Sequence, residues 1–397
     1  MQFEVWTSAG LPDDLRDAWT RLADGDPLRS WQWRSAWWKQ FGDELRLSTA
    51  VARHEGRVVG IAPCYSSDDR WLGQTLGWLA DGKTCTDYQR FLIDESLPAE
   101  QAAEVTIGLT HALIDGTELG RRQNLWILDG IRPDDPQQSL VQTELERHGF
   151  QLHAEPLESC WSIDLPGDWD AFVGQLSSRM RRDVRRACRD LELPHVAIHS
   201  ATGRSEIEAI WSEFVRLHGL RFRDRAIDGG CFGDAAFESF LRSAVGDLAE
   251  AGMARIVWCE LSGAAVAAHL YLLGRDTWYL YQTGFDPANA KLAPSRLLLS
   301  FVAREIAQRG GGRLDFLRGD EHYKSDWNCR QTTLVRLFAV SPRRIARWRH
   351  QTYQWARNLR RLARSSWSHQ AGPSRPPAFP VDPAGTEPVV RHDAPHA

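Results

Sequence analysis

The 397-residue sequence lacks the features that mark several functional classes. Its seven cysteines (Cys64, Cys85, Cys160, Cys188, Cys231, Cys259 and Cys329) are odd in number and show no CxxC spacing. That argues against a disulfide framework and for reduced, mostly buried thiols. The histidines form no HExxH arrangement, so neither a structural nor a catalytic metal is expected. No stretch approaches the ~18 consecutive apolar residues of a membrane span. The first twenty residues have no basic start followed by an apolar run, and a cytoplasmic location is the expectation. The net charge of −4 gives no general attraction to nucleic acid, which leaves any such role to local patches.

What is present is the composition of a globular protein, 43% hydrophobic and 25% charged, with a length that suggests two domains plus extra segments. The chemistry concentrates in residues 278–327. Aromatic residues from Trp278 favour a strand that reaches Thr283 and breaks at Gly284. Leu297, Leu298, Phe301, Val302, Ile306 and Ala307 then recur at helical spacing, with Pro294 suited to the first helical position and Gly310, Gly311 and Gly312 as the stop. A short buried strand follows over residues 314–317. A strand that feeds a helix through a loop offers backbone N–H groups and the positive end of the helix dipole to phosphate, although an ordinary connection has the same pattern. Beyond the second strand stand Arg318, Gly319, Asp320, Glu321, His322, Tyr323 and Lys324. Six of these seven are ionisable where neither helix nor sheet formation asks for them. They read as a ligand site or as a solvated loop with an ion pair.

Elsewhere the chain reads as a mixed α/β protein that repeats itself. Helical segments are expected over residues 11–42, where Trp31, Trp33, Trp37, Trp38 and Phe41 read as core. Two strands meet at His54-Glu55-Gly56, a second pair surrounds residues 71–79, and a helix over 99–119 leads to a strand over 125–129. Superposing Gly56 on Gly263 aligns two strands and a glycine turn in both halves, and the strand before Gly130 matches that before Gly319. The pattern predicts two copies of one unit, over 1–155 and 156–340. The second copy opens with a helix over 169–191 and continues with helices over 205–218 and 235–251 and strands over 255–261, 264–273 and 277–283. The loop from Arg221 to Gly233 is placed to cover a cleft. Residues 341–371 form a basic amphipathic segment and 372–397 a disordered tail.

Two arginine clusters stand out. Six arginines occupy the eleven positions from 179 to 189, among them Arg182 and Arg186, and their repulsion calls for an anionic ligand or for the neighbouring acids Asp183, Asp190 and Glu192. Eight arginines and no acid occur from Arg343 through Arg364, with Ile345, Trp348, Thr352, Trp355, Leu359 and Leu362 near one face. This segment suits an anionic membrane surface, or a helix docked on the protein with its arginines in water.

The runs LSSRMRRDVRRACRDLE, YLYQTGFDPANAKLAPSRLLL and DFLRGDEHYKSDW resemble the CelD-type acetyltransferases, a branch of the GNAT superfamily named for bacterial cellulose biosynthesis. SWQWRSAWWKQFG, GRVVGIAPCY and the pair Asp87-Tyr88 are similar too, so the resemblance spans residues 25–340. It implies tandem GNAT-like (acyl-CoA N-acyltransferase) units with mixed, largely antiparallel sheets, as in the related Fem-type peptidyltransferases. It also implies transfer of an acyl group, usually acetyl from acetyl-CoA. The co-substrate would then lie on Thr283, Gly284, Lys291, Pro294, Ser295 and Arg296. The usual loop carries Arg or Gln followed by glycines; residues 291–296 contain no glycine, and Lys291 and Arg296 are the candidate charges.

The same chemistry needs an acceptor deprotonated and a thiolate reprotonated. Asp320 or Glu321 is the candidate base, with an ordinary pKa near ~4 that burial or mutual repulsion must raise; His322 needs less tuning. Tyr323 is the candidate acid. Arg318, Lys324, Trp327, Arg182 and Arg186 are candidate substrate contacts, whereas His269 reads as a core residue ahead of a catalyst. The acceptor expected is an amine or hydroxyl, such as an amino sugar or a polysaccharide or cell-envelope precursor. An aminoacyl-tRNA donor is the rival reading within enzymes. A non-catalytic scaffold that binds a membrane or assembly partner is the rival outside them. The N-terminal unit, lacking a counterpart of Asp320-Glu321 after Gly130, is expected to be non-catalytic, a structural or acceptor-binding half.

Overall fold

The computed structural model describes residues 1–7, 10–116, 118–222, 230–319 and 323–368. The first half contains β1 (Gln2–Trp6), α1 (Arg16–Ala23), α2 (Trp31–Phe41), β2 (Arg46–Leu47), β3 (Thr49–His54), β4 (Arg57–Ala62), β5 (Cys64–Asp69), β6 (Gly73–Trp78), β7 (Leu92–Ile93), α3 (Ala99–Asp115), α4 (Glu118–Arg122), β8 (Leu125–Ile131) and α5 (Pro136–Arg147). β9 (Gln151–Pro166) carries the chain into α6 (Trp169–Gln175), α7 (Ser178–Asp190), β10 (Val196–Ala201), α8 (Arg204–Phe222) and α9 (Ala235–Glu250). Then come β11 (Ala254–Leu261), β12 (Ala264–Leu273), β13 (Thr277–Phe285), α10 (Pro294–Gln308), β14 (Gly311–Arg318), α11 (Tyr323–Asp326), β15 (Arg330–Val340) and α12 (Arg344–Ser368).

The strands form a four-stranded sheet, β1-β3-β4-β7, and an eleven-stranded sheet, β10-β11-β12-β13-β14-β9-β15-β8-β6-β5-β2. The fold is mixed α/β with largely antiparallel sheets; among the described strands only β6·β8 and β13·β14 run parallel. Each half builds its parallel pair across a helix, α3 in the first and α10 in the second. Each also has a hairpin with two successive positive φ angles, Glu55 and Gly56 (49° and 79°) in one and Ser262 and Gly263 (53° and 83°) in the other. Both are the primed turn that matches strand twist, which explains why the two glycines superpose in the sequence.

The halves are stitched by their longest strands. β9 pairs with β15 over residues 151–162 and with β14 over 160–166. β15, the last strand of the second half, also pairs with β8 of the first. The expected boundary at residue 155 therefore falls inside one continuous strand. A shared apolar core reinforces the join: α1 and α2 pack with α8 and α9, and Trp33 lies edge-on to both Phe240 (4.9 Å) and Tyr281 (5.2 Å). The opposite face of the second half is covered by α6, α7 and α10, and the first-half strands are covered by α3 and α5.

Two expectations change. The helix over 169–191 is two helices, because Leu176 is extended (φ −71°, ψ 156°) and Ser177 starts α7 by accepting from Met180 N–H. Strand β13 does not stop at Gly284 but continues to Phe285. A Cβ on Gly284 would lie 2.3 Å from the His218 nitrogen and 2.6 Å from the Leu217 carbonyl carbon, so this glycine lets the α8 backbone lie against the strand. Elements α5, β9, β10 and β15 were not anticipated.

No described helix is long and apolar enough to cross a membrane. Helix α12 docks through buried Ala346, through Tyr353 and through an Arg357–Glu155 hydrogen bond of 2.9 Å. Ile345, Trp348 and Trp355 remain exposed.

Candidate active site

The parallel pairing of β13 and β14 covers only Thr277–Tyr279 against Arg313–Asp315, although β13 runs on to Phe285 and β14 to Arg318. Each strand takes one extra residue where they part. Tyr281 is the bulge in β13, since Leu270 faces Gln282 and Tyr271 faces Leu280. In β14 the bulge lies between Asp315 and Arg318, where Leu317 has φ 56°. Bulges bend strands and end pairing, so a wedge opens between the two.

The wedge continues to α10. The preceding loop winds as a short 3-10 helix, Pro287–Leu292, capped by the Asp286 side chain on Ala288 N–H at 2.9 Å. Ala293 then takes the left-handed conformation (φ 50°, ψ 55°), and α10 starts with no side-chain cap and no acid in its first turn. Such a terminus favours an anion. Lys291 is exposed in the loop, and Pro294 is buried at the first helical position. Ser295 Oγ lies 2.8 Å from Nε2 of buried His269, which ties α10 to β12. Burial pushes the His269 imidazole down to about 3, a core histidine that stays neutral. Arg296 pairs with Asp183 of α7 at 3.1 Å, which sets the exposed Arg182 and Arg186 of that helix beside α10.

On the other side stands a loop from the first half, residues 80–89. Ala80, Cys85 and Tyr88 all have positive φ (63°, 46° and 60°) without being glycine. Strain of this kind persists only where surroundings over-determine it, typically at functional sites. Four donors hold Asp87. Its Oδ1 accepts from Arg318 Nε (2.6 Å) and Nη2, and its Oδ2 accepts from Arg318 N–H (3.2 Å) and the Cys160 thiol (3.3 Å). Thr86 Oγ1 accepts from Trp33 Nε1 (2.9 Å), and Tyr281 donates to the Thr84 carbonyl (2.7 Å). Gly130 serves this loop too, because a Cβ there would lie 2.7 Å from the Thr86 carbonyl oxygen.

Next to this pair, half-buried Tyr88 donates its hydroxyl to Asp315 Oδ2 at 2.7 Å, and Leu317 N–H donates to Asp315 Oδ1 at 2.7 Å. Burial raises the Asp315 carboxyl to about 7, against the pull of those two hydrogen bonds. Burial and the adjoining Asp315 also push the Tyr88 phenol up, so it stays protonated. A carboxyl poised near neutrality behind a phenol hydroxyl can take up a proton through that hydroxyl.

Of the residues expected from sequence, Arg318 belongs to this constellation. Lys324 lies beneath it, its buried Nζ donating to the carbonyls of Phe316, Leu317, Arg318 and Gly319 at 3.1–3.4 Å. It holds the turn that follows β14. Trp327 is buried in the core beside Phe316. Thr283 is buried, its hydroxyl accepting from Arg221 and its carbonyl from His218 Nδ1 at 3.0 Å. Asp320, Glu321 and His322 lie outside the described residues, as does the side chain of Tyr323, whose backbone opens α11. Asp315 was missed. The signal for it was an acid between apolar residues of a buried strand, Leu314-Asp315-Phe316-Leu317.

Residues 178–325 match the family described as the acetyltransferase (GNAT) domain. The chain thus carries a GNAT acetyltransferase domain and is an acyltransferase by that domain. The fold is similar to the crystal structure of FemX, at 12% identity and TM-score 0.57 over 84% of this chain and 97% of that one. It is similar also to a conserved protein of unknown function from Bacteroides thetaiotaomicron VPI-5482, at 10% identity and TM-score 0.51 over 85% and 99%. No curated protein matches the chain.

If Asp315 accepts the acceptor's proton through Tyr88, kcat/KM rises with pH through about 7. Asp315→Asn then lowers kcat/KM by about 10²-fold or more and flattens that limb. Wild-type activity and pH profile in the variant contradict the role. The sign for stability is opposite: a folded pKa above the unfolded one stabilises at low pH, and that contribution fades as pH rises through about 7.

Proposed function

We propose that the second half moves an acetyl or longer acyl group from acyl-CoA to an amine or hydroxyl acceptor. The observation that carries this reading is the wedge between β13 and β14, open beside an uncapped helix terminus. Acyl-CoA would supply the activated thioester. The first turn of α10, exposed Lys291 and the neighbouring Arg182 and Arg186 fit its phosphates, and the β13 edge beyond Tyr279 fits the pantetheine amides. The glycine-free loop is compatible, because Ala293 itself adopts the left-handed turn that a glycine would serve.

Tyr88 and Asp315 are proposed to take the acceptor's proton, with Asp320 or Glu321 as alternative bases and Tyr323 as the acid that returns a proton to the thiolate. The residue 80–89 loop suits the acceptor side, which gives the first half a part in binding. An amino sugar or a polysaccharide or cell-envelope precursor fits such a polar, half-open junction. A donor carried on tRNA is the second reading, favoured by the exposed arginines of α7. Steep loss of binding with salt would mark it.

A peripheral membrane contact is proposed for α12, whose Trp348 and Trp355 are exposed among arginines on the side away from Ala346, with Ile345 also exposed. Co-flotation with anionic vesicles, lost in Trp348→Glu/Trp355→Glu, supports it; equal flotation of both proteins overturns it.

The donor is tested by calorimetric titration with acetyl-CoA and CoA. Saturable binding is expected, weakened at least about tenfold when Lys291→Glu, Arg182→Glu and Arg186→Glu reverse charges near the phosphates. Absence of heat from either ligand in the folded protein removes the acyl-CoA reading.

A further inference from the structure

Far from the wedge in sequence, α3 and α5 of the first half present a second cluster. His111 and Asp115 stand four residues apart on α3. Glu144 and His148 stand four apart at the end of α5, His148 being its C-cap. Residues at that spacing share a helix face, and the two helices pack together, so the two pairs meet. One donor atom each from His111, Glu144 and His148 lies within 4.8 Å of the other two.

The hydrogen bonds orient these donors. His148 Nδ1 lies 2.8 Å from the Glu144 carbonyl oxygen, which only accepts, so Nδ1 carries the proton and Nε2 keeps its lone pair. That Nε2 is 3.9 Å from Asp115 Oδ2. An imidazole whose far nitrogen is fixed by a backbone carbonyl has the arrangement that usually stands behind a metal-bound histidine. His111 Nε2 lies 2.9 Å from Glu144 Oε2. The other Glu144 oxygen accepts from Arg147 at 2.6 Å, and Arg147 is mostly exposed. Glu144 itself is buried, whereas both imidazoles reach solvent.

We propose that His111, Glu144 and His148 form a Zn²⁺ site that clamps α3 to α5, with Asp115 or water as the fourth ligand. Two imidazoles and a carboxylate suit zinc, whose tetrahedral shell at about 2.0–2.2 Å holds neighbouring donors roughly 3.3 Å apart. His111 Nε2 and Glu144 Oε2 already lie 2.9 Å apart, and all three donors lie within 4.8 Å of one another, so metal binding needs only a short closing movement of the cluster. The Arg147 guanidinium swings to solvent, and Glu144 binds through Oε2. The site is separate from the acyl-transfer machinery and independent of the reading given for it.

The test uses the full chain stripped by a chelator and titrated with ZnCl2, beside the variant His111→Ala/His148→Ala. Both side chains are at the surface, and an unchanged metal-free melting curve shows that the variant is folded. The proposal expects one saturable zinc equivalent, a raised unfolding midpoint with zinc, and loss of affinity by at least about 30-fold in the variant. Co²⁺ in place of zinc should give the visible absorption of a four-coordinate ion in the wild type and not in the variant. Zinc binding and midpoint shifts alike in both proteins, or absent from both, overturn the proposal.

Discussion

The buried ion pair between Asp87 and Arg318 is the constraint on which the centre of this molecule depends. A carboxylate with no solvent contact is tolerated only when charge and hydrogen bonds replace water, and here four donors meet two oxygens. Losing one partner of such a pair typically costs about 3–5 kcal/mol, because the other charge is left buried alone. The pair also joins distant parts of the chain. Asp87 sits in a first-half loop and Arg318 at the end of a second-half strand, so the junction forms only when both halves are docked.

That docking has a cost. Three non-glycine residues of the loop and Leu317 of β14 occupy left-handed backbone conformations, each worth about 1–3 kcal/mol of strain. The shared strands β9 and β15, the aromatic contacts of Trp33 and the Lys324 ammonium under the β14 turn hold them in place. The result is a division by chemistry. Positive charge and a bare helix terminus lie on the α10 side of the wedge, and a protonatable carboxyl behind a phenol lies on the loop side. An acyl transferase needs both.

Much of the fold was legible because its signals are local. Glycine turns at Gly56 and Gly263, the apolar stripe of Met180, Val184 and Ala187 in α7, and the helix that follows Pro294 follow from spacing and backbone preference alone. What was not legible rests on distant contacts. Nothing near residues 330–340 says that this strand crosses back to lie between β9 and β8. Gly284 looked like a strand break when it is a packing position, because the helix that presses on it lies more than sixty residues earlier. The pair Asp87-Tyr88 was noticed by resemblance only; its partners Arg318 and Asp315 are more than two hundred residues away. Asp315 itself is hidden in the sequence by its apolar neighbours Leu314, Phe316 and Leu317.

The most direct test of the account is a crystal structure with a non-hydrolysable acyl-CoA analogue. The account predicts pantetheine between β13 and β14, the diphosphate at the first turn of α10, and the acyl carbonyl facing the Tyr88 hydroxyl. An analogue ordered elsewhere on the protein, or a wedge filled by the protein's own side chains in its presence, would contradict it.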